Sequence, residues 1–372
     1  MNRPHISIVA NFYKSKRYIP KLLKSVFAQT YTNWELICID DCSPENDYQI
    51  IQNITNEGGY SHQVKIIRNE TNFGIAKAKK IGIDNAQGKY ITFIDGDDWF
   101  DNKALEKLYE PAIKYDLDLV IMNNYRIIPF FNYKYKCKSN IPQEKYHIPL
   151  SAPQIFDDYY INFFGCNIFA TNSYWGKLYK LETIRNANIK YPQNDTYEDN
   201  IFNFRLFPYI KSMIFIDYCG YYWRWGGITS GKKNNIYSES RFINIMEDFY
   251  LERKLAIEKY NYTKAAHKYL LFELKNVLKS MLSNIAIFDS NDKRATPIII
   301  EIDKIISHEA FSDIKLLYEL HPSSKNDEFI NSIVNKDATL IYSLCHDYYK
   351  NTRVKRFIKS ALHKLIYPLA KI

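Results

Sequence analysis

The feature that most constrains the fold is a regular alternation of short apolar stretches and amphipathic stretches along the first hundred residues or so. Each apolar stretch has the length and β-branched content of a buried strand, and each amphipathic stretch repeats its apolar residues at the 3.6-residue period of a helix. Such alternation favours a largely parallel sheet with helices on both faces. The predicted strands are Ile6–Ala10, Trp34–Ile39, Val64–Arg68, Tyr90–Ile94 and Leu117–Asn123, and the predicted helices are Ile19–Phe27, Asp47–Asn56 and Ile75–Asn85.

Crowded carboxylates follow the strand Tyr90–Ile94, in the sequence Asp95-Gly-Asp-Asp98. Carboxylates this close repel one another and are costly to hold unless a cation neutralises them, and Gly96 allows a sharp turn between them. Oxygen ligands alone suit Mg²⁺ or Mn²⁺, which usually complete their shells with water and substrate phosphate. The alternative that this motif alone leaves open is a solvated acidic turn after an edge strand.

A second acidic pair, Asp40-Asp41, follows the predicted strand Trp34–Ile39. Ligands collect at the carboxyl ends of parallel strands, so we expect this pair and the Asp95–Asp98 group to converge on one crevice. The chain has no G-x-G-x-x-G after its first strand and no Walker Gly-Lys-Ser/Thr, which argues against a dinucleotide oxidoreductase or a P-loop phosphotransferase.

The composition is that of a globular chain, with 372 residues, 46% of them hydrophobic, and a formal net charge of +9. The 6 cysteines lie too far apart for a zinc ribbon or a disulfide framework. Without an apolar signal region or an apolar run of about 18 residues, we expect a cytoplasmic protein with reduced thiols and no spanning helix. Nucleic-acid binding would rest on net charge alone, since no recognisable motif interleaves the basic residues with aromatics.

The chain beyond about residue 110 carries further patterns. Residues 125–151 lose periodicity and are interpreted as a loop or an edge hairpin, and 197–207 are predicted to form a helix with Glu198 and Asp199 in its first turn. Helical spacing continues through 240–288, 298–306 and 329–348. Packing is the default expectation for these helices, and support of a site in the preceding region or a homo-oligomer interface are the further ones.

The final stretch, 350–372, is predicted to form a basic amphipathic helix. Val354, Phe357 and Leu365 fall on its apolar stripe, and lysines and arginines lie largely around that stripe. Such a helix suits an anionic membrane surface, which predicts a peripheral location at the inner face of the cell membrane. A terminal helix docked on its own protein, with a solvated basic edge, is the alternative.

A series of short motifs runs in a fixed order along about the first 110 residues. They are Ile6-Ser-Ile-Val-Ala-Asn-Phe-Tyr-Lys14, Ser25-Val-Phe-Ala-Gln-Thr-Tyr31, Trp34-Glu-Leu-Ile-Cys-Ile-Asp-Asp-Cys-Ser43, Asn72-Phe-Gly74, Ala86-Gln-Gly-Lys-Tyr-Ile91 and Asp95-Gly-Asp-Asp98. The series resembles the signature of family-2 inverting glycosyltransferases. That resemblance implies the GT-A fold, with a Rossmann-like mostly parallel sheet and here a C-terminal helical appendage.

The resemblance implies a role for each matching residue. Tyr13 would lie by the nucleotide base, and Asp41, with Asp40 beside it, would accept a hydrogen bond from the uracil N–H. Asp95 would lie near the ribose and Asp97 would hold the Mn²⁺ or Mg²⁺ that bridges the diphosphate. Asp98 is a further metal candidate. The implied donor-binding residues are Ala10, Tyr13, Asp40, Asp41, Asn72, Lys79, Asp95 and Arg224.

On the acceptor side, Trp175-Gly-Lys-Leu-Tyr179 and Glu198-Asp199 resemble elements of the same family. By that resemblance Asp199 is the general base, with Trp175 and Glu198 on the acceptor side. An inverting transfer is a direct displacement that needs a carboxylate to take the acceptor hydroxyl's proton, and it needs no enzyme nucleophile. The favourable interaction of a first-turn acidic pair with the helix dipole is the alternative explanation of Glu198-Asp199.

The segment Tyr218–Ser230 resembles the family's flexible piece that closes over the sugar nucleotide, with Gly226-Gly227 as its hinge. Many relatives carry a metal-binding His there. This chain has none in the segment, which leaves Arg224 as a candidate for the diphosphate. Aromatic residues of the segment would stack on a sugar or base, or else pack in the core.

Departures from the family pattern fall beside the motifs. The family commonly has Pro and Asn where this chain has Asn11 and Lys14, and its Ala-Arg-Asn is Ala78-Lys79-Lys80 here. Lys79 keeps the positive charge that would meet a phosphate but lacks the planar fork of Arg. A solvated helix face is the alternative for these lysines.

These observations predict a metal-dependent inverting glycosyltransferase. It would move a hexosyl or N-acetylhexosaminyl group from a nucleotide sugar, most plausibly a UDP-sugar, to a hydroxyl of a capsule, lipooligosaccharide or teichoic-acid glycan or its lipid-linked precursor. The alternative is a non-catalytic glycan-binding or scaffold protein that keeps the fold. The expected regions are 1–235 for the catalytic domain, split into 1–110 for the donor and 111–235 for the acceptor, then 236–348 as a helical region and 349–372 as the basic helix.

Overall fold

The computed structural model describes residues 3–128, 133–136, 149–151, 173–191, 198–206, 209–224, 295–307, 314–319 and 327–347. The chain divides into two compact units, Met1–Lys232 and Lys233–Ile372, and each is considered by itself. The predictions for 240–288 and for the basic helix at 350–372 fall outside the described residues.

The first unit is built on one mixed sheet. Its strands are β1 (Ile6–Phe12), β2 (Trp34–Asp40), β3 (Val64–Arg68), β4 (Tyr90–Asp95), β5 (Trp99–Phe100), β6 (Leu119–Ile128), β7 (Tyr133–Lys136), β8 (Leu150–Ser151), β9 (Lys177–Lys180) and β10 (Ser212–Arg224). Its described helices are α1 (Ile19–Phe27), α2 (Asp47–Glu57), α3 (Ile75–Asn85), α4 (Ala104–Lys114), α5 (Leu181–Ala187) and α6 (Glu198–Leu206).

The strand order is β3-β2-β1-β4-β9-β6-β10-β5, with β7 paired to β6 and β8 paired to β10. The first four strands run parallel to one another, and so do β6 and β10. Between these two parallel groups, β9 runs antiparallel to both β4 and β6. The short β9 therefore joins the half that carries the acidic strand ends to the half that carries β10.

Burial explains why these residues form these elements. All but one residue of β1 is buried, which fits a central parallel strand covered on both faces. Helix α1 turns Ile19, Leu22, Leu23 and Val26 into the core at helical spacing, and Pro20 lies in its first turn, where a missing N–H costs nothing. The core of this unit therefore lies on the sheet and extends beneath α1.

The strands and helices predicted within the first hundred residues are confirmed, with differences at the ends. Strands β1, β2 and β4 extend by one or two residues into the polar tips that follow them, ending at Phe12, Asp40 and Asp95. The edge hairpin predicted for 125–151 is seen in part, because β7 pairs antiparallel with β6. Strand β6 itself begins at Leu119 and continues to Ile128, beyond the predicted Asn123.

The segment 218–230 differs from the expectation of a flexible flap. Residues Tyr218 to Arg224 are the end of the long strand β10, which pairs with β6 and with β5. These pairings fix the backbone of this part, whereas 225–230, with the proposed Gly226-Gly227 hinge, lie outside the described residues. The sequence analysis also did not predict α4, β5, β9 or α5.

In the second unit, the described helices are α7 (Ala295–Ile306), α8 (Ile314–Glu319) and α9 (Glu328–Val334), and 338–347 are helical as well. Helices were predicted at 298–306 and across 329–348. Asp327 caps α9 by accepting a hydrogen bond from the Ile330 N–H at 3.2 Å. Within the described ranges, no helix combines the length and the apolar character needed to cross a membrane.

Candidate active site

Three parallel strands bring their polar ends together at one edge of the sheet. In the pairing register, Phe12 at the end of β1 lies beside Asp40 of β2, and Asn11 lies beside Asp95 of β4. Tyr13 follows directly and is half-buried, with the Lys14 Nζ 5.2 Å from its ring centroid. The predicted convergence of the two acidic groups on one crevice therefore follows from the parallel order of β2, β1 and β4.

Asp41 lies at the centre of a hydrogen-bonded loop. Its carboxylate accepts bonds from the Asn69 side chain at 2.7 Å, from the Phe73 N–H at 2.9 Å and from the Gly74 N–H at 2.9 Å. Gly74 has a φ of +88°, which favours glycine at the start of α3. Asp41 is 4% exposed and fixes the 69–74 loop. The neighbouring Asn72 is exposed.

Asp40 is fully buried beneath this loop. It accepts a hydrogen bond from the Ser43 N–H at 2.9 Å, and the Arg68 Nε lies 3.4 Å from its other oxygen. Burial raises the pKa of Asp40 and outweighs the lowering by Ser43 and Arg68. Ala10, another of the implied donor-binding residues, is fully buried in β1. Both residues support the crevice from below its surface.

Gly96 makes the tip of β4 possible through close approach of the backbone. A Cβ at this position would lie 2.5 Å from the Asn11 carbonyl oxygen and 2.9 Å from the Ser15 Oγ. The expectation from the sequence was that glycine permits a sharp turn. The structure gives a different reason, because any side chain here would push β4 away from the loop that follows β1.

Asp98 is part of the packed core. It is 2% exposed, and its two oxygens accept hydrogen bonds from the Tyr221 Oη and from the Arg224 N–H, each at 2.7 Å. Burial, with the nearby charges of Asp97 and Asp95, raises its pKa well above the ordinary value. Asp98 therefore ties the acidic tip to β10, and both of its oxygens are already engaged.

Aromatic stacking extends this connection to the acceptor-side motif. Trp175 is 8% exposed and its ring stacks on Tyr221, with centroids 4.6 Å apart and planes at 8°. Tyr221 in turn holds Asp98. The tryptophan predicted on the acceptor side thus supports the acidic tip through one tyrosine.

Arg224 lies over the opposite side of the tip. Its Nε donates to the backbone carbonyl of Asp97 at 2.9 Å, and its guanidinium carbon lies 4.8 Å from the Tyr18 ring centroid and 4.9 Å from that of Trp99. The guanidinium of Arg224 is thus held beside the half-buried Asp97. A cation beside the tip suits an anionic ligand.

Lys79 is buried, so the alternative of a solvated helix face is wrong for this residue. It is 3% exposed, and its Nζ lies 3.4 Å from Asp95 Oδ1 and 3.3 Å from Glu198 Oε1. The ammonium also lies 4.2 Å from the ring centroid of Tyr174. Lys79 therefore connects α3, the end of β4 and the start of α6. Its neighbour Lys80 behaves differently, because it pairs with Asp84 on the surface.

Glu198 and Asp199 begin α6, as the sequence predicted. Glu198 is 7% exposed, and burial raises its pKa although Lys79 opposes the shift. Burial alone would lower the pKa of Lys79, but Asp95, Glu198 and Asp199 together raise it. Burial therefore favours the protonated form of Glu198, whereas the ammonium of Lys79 favours its carboxylate.

Lys177 is a buried cation that the sequence reading quoted within a motif without assigning a role. It is fully buried in β9, where its Nζ donates to the Ser173 carbonyl. Burial lowers its pKa to about 7, and the charge of Asp199 acts in the opposite direction. A lone charged residue among Tyr174, Trp175, Leu178 and Tyr179 was the available signal.

A metal site at the tip can be tested against the residues present. Among the described residues, no group of three or more His, Cys, Asp or Glu side chains is placed to hold a metal ion. Mg²⁺ needs only one or two protein carboxylates when phosphate and water complete its shell. Asp98 is buried and engaged by Tyr221 and Arg224, and Asp95 Oδ1 is paired with the Lys79 Nζ at 3.4 Å, but Asp95 and Asp97 are both only partly buried. Asp97 with Asp95 is therefore the pair that fits such an ion.

Comparison with known proteins agrees with this geometry. Residues 7–175 match the family model described as Glycosyl transferase family 2. Over these residues the chain is similar to family-2 glycosyltransferases, and its fold is GT-A. The fold is also that of S. aureus TarS 1-349, solved in complex with UDP-GlcNAc, at a TM-score of 0.65 and 18% identity over 93% of this chain and 92% of that one.

Curated relatives are glycosyltransferases as well. Glycosyltransferase GlyA of Streptococcus pneumoniae is 26% identical over 75% of this chain and 38% of GlyA, and the cholesterol galactosyltransferase of Borreliella burgdorferi is 29% identical over 57% and 58%. The teichuronic acid biosynthesis glycosyltransferase TuaG of Bacillus subtilis, a putative assignment, is 28% identical over 42% and 57%. The chain thus spans between about two fifths and three fifths of the length of these relatives.

Proposed function

We propose that the chain is a metal-dependent, inverting glycosyltransferase that uses a UDP-sugar as donor and a hydroxyl of a cell-envelope glycan, or of its lipid-linked precursor, as acceptor. One observation carries the proposal. The Lys79 Nζ lies 3.4 Å from Asp95 and 3.3 Å from Glu198, so the donor-side tip and the helix that begins Glu198-Asp199 share one buried contact. A donor carboxylate and a candidate base in one crevice are what a direct displacement requires.

On the donor side, the crevice supplies contacts for each part of a nucleoside diphosphate. Tyr13 is half-buried beside the strand ends and would contact the base, and Asp41 would accept from an N–H of uracil with the lone pairs left by the 69–74 loop. Asp95 would contact the ribose. Arg224, whose guanidinium is held between two aromatic rings, would meet the diphosphate.

Asp97, with Asp95 beside it, would hold a Mg²⁺ or Mn²⁺ ion, which supplies charge neutralisation for the leaving diphosphate. Asp199 would act as the general base. The acceptor oxygen attacks the anomeric carbon, the bond from that carbon to the diphosphate oxygen breaks, and the proton of the hydroxyl passes to the Asp199 carboxylate. Glu198 would stay paired with Lys79 and keep the first turn of α6 in place.

Support for the substrate class comes from the relatives. One is a cholesterol galactosyltransferase, another is placed in teichuronic acid biosynthesis, and TarS was solved with UDP-GlcNAc. These names suggest a hexosyl or N-acetylhexosaminyl donor and a glycan or lipid-linked acceptor. A lipid-linked acceptor would require contact with the membrane surface, for which the basic stretch 350–372 is suited.

The test is release of UDP from a panel of UDP-sugars, with Mn²⁺, with Mg²⁺ and with excess chelator. We expect one donor to be turned over clearly faster than the others and turnover to stop in chelator. Asp84→Asn is the matched control, because Asp84 pairs with Lys80 on the exposed face of α3, away from the strand ends. If UDP binds but no sugar nucleotide of the panel is turned over, the protein is the non-catalytic alternative.

A further inference from the structure

We infer that Lys79 is a positioning residue whose buried ammonium joins the donor-side carboxylate of Asp95 to Glu198 and so fixes the place of the neighbouring Asp199. This role differs from the diphosphate contact that the family resemblance implies for Lys79. The inference rests on the proposed function, because the donor role of Asp95 and the base role of Asp199 are assigned there.

The contacts come from elements that are distant in sequence. Lys79 lies on α3, Asp95 ends β4 and Glu198 begins α6, and 119 positions separate Lys79 from Glu198. The side chain of Lys79 is 4% exposed, that of Glu198 is 10% exposed and that of Asp95 is 27% exposed. The ring of Tyr174, 4.2 Å away, covers the ammonium. Asp95 is therefore the most exposed of these three side chains, and it lies on the side where the donor is proposed to bind.

A phosphate contact would require Lys79 to leave this enclosure. Its Nζ would have to withdraw from both carboxylates, and Glu198 would then remain buried without a cation. Removing one partner from a buried ion pair is costly, because the remaining charge is uncompensated. An ammonium held between two carboxylates and an aromatic ring is fixed in position, which is the property that a positioning group needs.

The link to Asp199 follows from the start of α6. Glu198 and Asp199 are consecutive in the first turn, so a displacement of Glu198 moves the Asp199 backbone with it. The Asn203 side chain also donates to the Asp199 carbonyl at 2.7 Å and to the Ser173 carbonyl at 3.1 Å, which anchors this turn to the segment before β9. Lys79 supplies the corresponding anchor to α3 and β4.

The experiment compares Lys79→Met with Lys80→Met. Both variants remove one positive charge from α3, but Lys80 pairs with the exposed Asp84. UDP affinity is measured by calorimetry and kcat by acceptor-dependent transfer. We expect Lys79→Met to lower kcat about 100-fold or more, as small misplacements of reacting groups do, and to leave the Kd for UDP within about threefold. Lys80→Met should match the wild type, and Lys79→Arg should recover part of kcat because it restores the charge.

A contrary result is equally clear. If Lys79→Met weakens UDP binding about tenfold or more while kcat is kept, Lys79 is a phosphate ligand and the inference is wrong. Unchanged kcat and unchanged Kd would also overturn it. If the wild type turns over no donor, the proposed function fails. The role of Lys79 in holding Glu198 is then tested by thermal unfolding alone.

For that second measurement, Lys79→Met, Glu198→Gln and the double variant are compared by thermal unfolding. Lys79→Met leaves the buried Glu198 without its cation and should lower the Tm by about 5 °C or more. Glu198→Gln leaves Lys79 paired with Asp95 alone and should lower the Tm by a smaller amount. The double variant should lower the Tm by no more than the worse single variant, because the two residues act as a pair. Simple addition of the two losses would show that the residues are independent and would overturn the inference.

Discussion

The Tyr221 Oη donates a 2.7 Å hydrogen bond to Asp98 Oδ2, and the two residues are 123 positions apart. Through this bond, strand β10 holds the acidic tip that follows β4. The carboxylates of the tip consequently differ in burial and in their hydrogen-bond partners. Asp98 is a buried structural acceptor, whereas Asp97 is half-buried beside Arg224. Asp97 and Asp98, which look equivalent in the sequence motif, therefore have different surroundings in the fold.

The first prediction uses the unequal pair. Asp97→Ala should abolish detectable transfer, or lower it at least about 100-fold, with little change in Tm, because the carboxylate proposed to bind the metal is lost from a half-buried position. Asp98→Ala should lower the Tm by about 5 °C or more, because the Tyr221 hydroxyl and the Arg224 N–H lose their buried acceptor. Thermal unfolding and UDP-release assays on both variants provide the measurement.

The roles would be reversed if Asp98→Ala folded like the wild type and lost metal-dependent activity while Asp97→Ala remained active. Full wild-type activity in excess chelator would show that transfer does not depend on a metal ion. The exposed Asp84→Ala variant serves as the control for loss of a carboxylate near these elements.

The second prediction concerns Asp41 and the loop that it holds. Asp41→Asn replaces one acceptor oxygen by an NH₂ group, so a loop N–H loses its partner and the uracil N–H loses a charged acceptor. We expect the Kd for UDP to rise at least about tenfold and the Tm to fall. Asn69→Ala removes one of the bonds to Asp41 but keeps the carboxylate, so it should lower the Tm with a smaller change in Kd. Equal effects of the two variants on Kd would show that Asp41 acts only through the loop.

Much of the donor side could be predicted from the sequence, because its determinants are local. Buried parallel strands have continuous apolar runs, and polar residues mark their carboxyl ends. The register that places Asp40 and Asp95 on either side of β1 follows from parallel pairing of strands with these patterns. The sequence alone therefore predicts that these carboxylates lie at the same edge of the sheet.

The partners of the carboxylates could not be predicted in the same way. The bonds Tyr221–Asp98 and Lys79–Glu198 each join residues more than one hundred positions apart, and no local period encodes such a pairing. The continuous apolar run Met213–Ile216 at the start of β10 is typical of a buried strand. The sequence reading instead followed the family resemblance to a flexible segment, and so it missed the strand that carries Tyr221.

The third prediction is a pH dependence of stability that comes from Lys177. Its pKa is lowered to about 7 by burial, from an ordinary value of 10.5. Between these values the unfolded chain binds the proton more readily than the folded chain, so the free energy of unfolding rises with pH across this window. Lys177→Met lacks this contribution. The Tm of the variant minus the Tm of the wild type should therefore be largest near pH 7 and should shrink as the pH approaches 10.

Thermal unfolding of both proteins at a series of pH values between 7 and 10 gives the measurement. Taking the difference between the two proteins cancels the groups that they share. A difference that stays constant across this range would mean that the pKa of Lys177 is close to its ordinary value in the folded protein. A difference that grows with pH would contradict the sign of the argument.

The fourth prediction concerns the basic stretch 350–372, which lies outside the described residues. Each Lys or Arg near an anionic surface contributes about 1 kcal/mol of attraction, which salt screens. Truncation before Lys350 should therefore reduce co-sedimentation with anionic liposomes at low salt and lower activity on a lipid-linked acceptor, while activity on a short soluble acceptor is kept. Equal sedimentation of full-length and truncated protein would mean that this stretch packs on its own protein.

The assignment of Asp199 as the general base is the central claim, and single-turnover transfer by Asp199→Asn tests it most directly. The variant keeps the size of the side chain but cannot take the acceptor proton. With saturating donor and acceptor, the account predicts a rate about 10²- to 10⁴-fold below that of the wild type, with the Kd for UDP unchanged within about threefold. Transfer by Asp199→Asn at a rate near that of the wild type would contradict the account and would require another base.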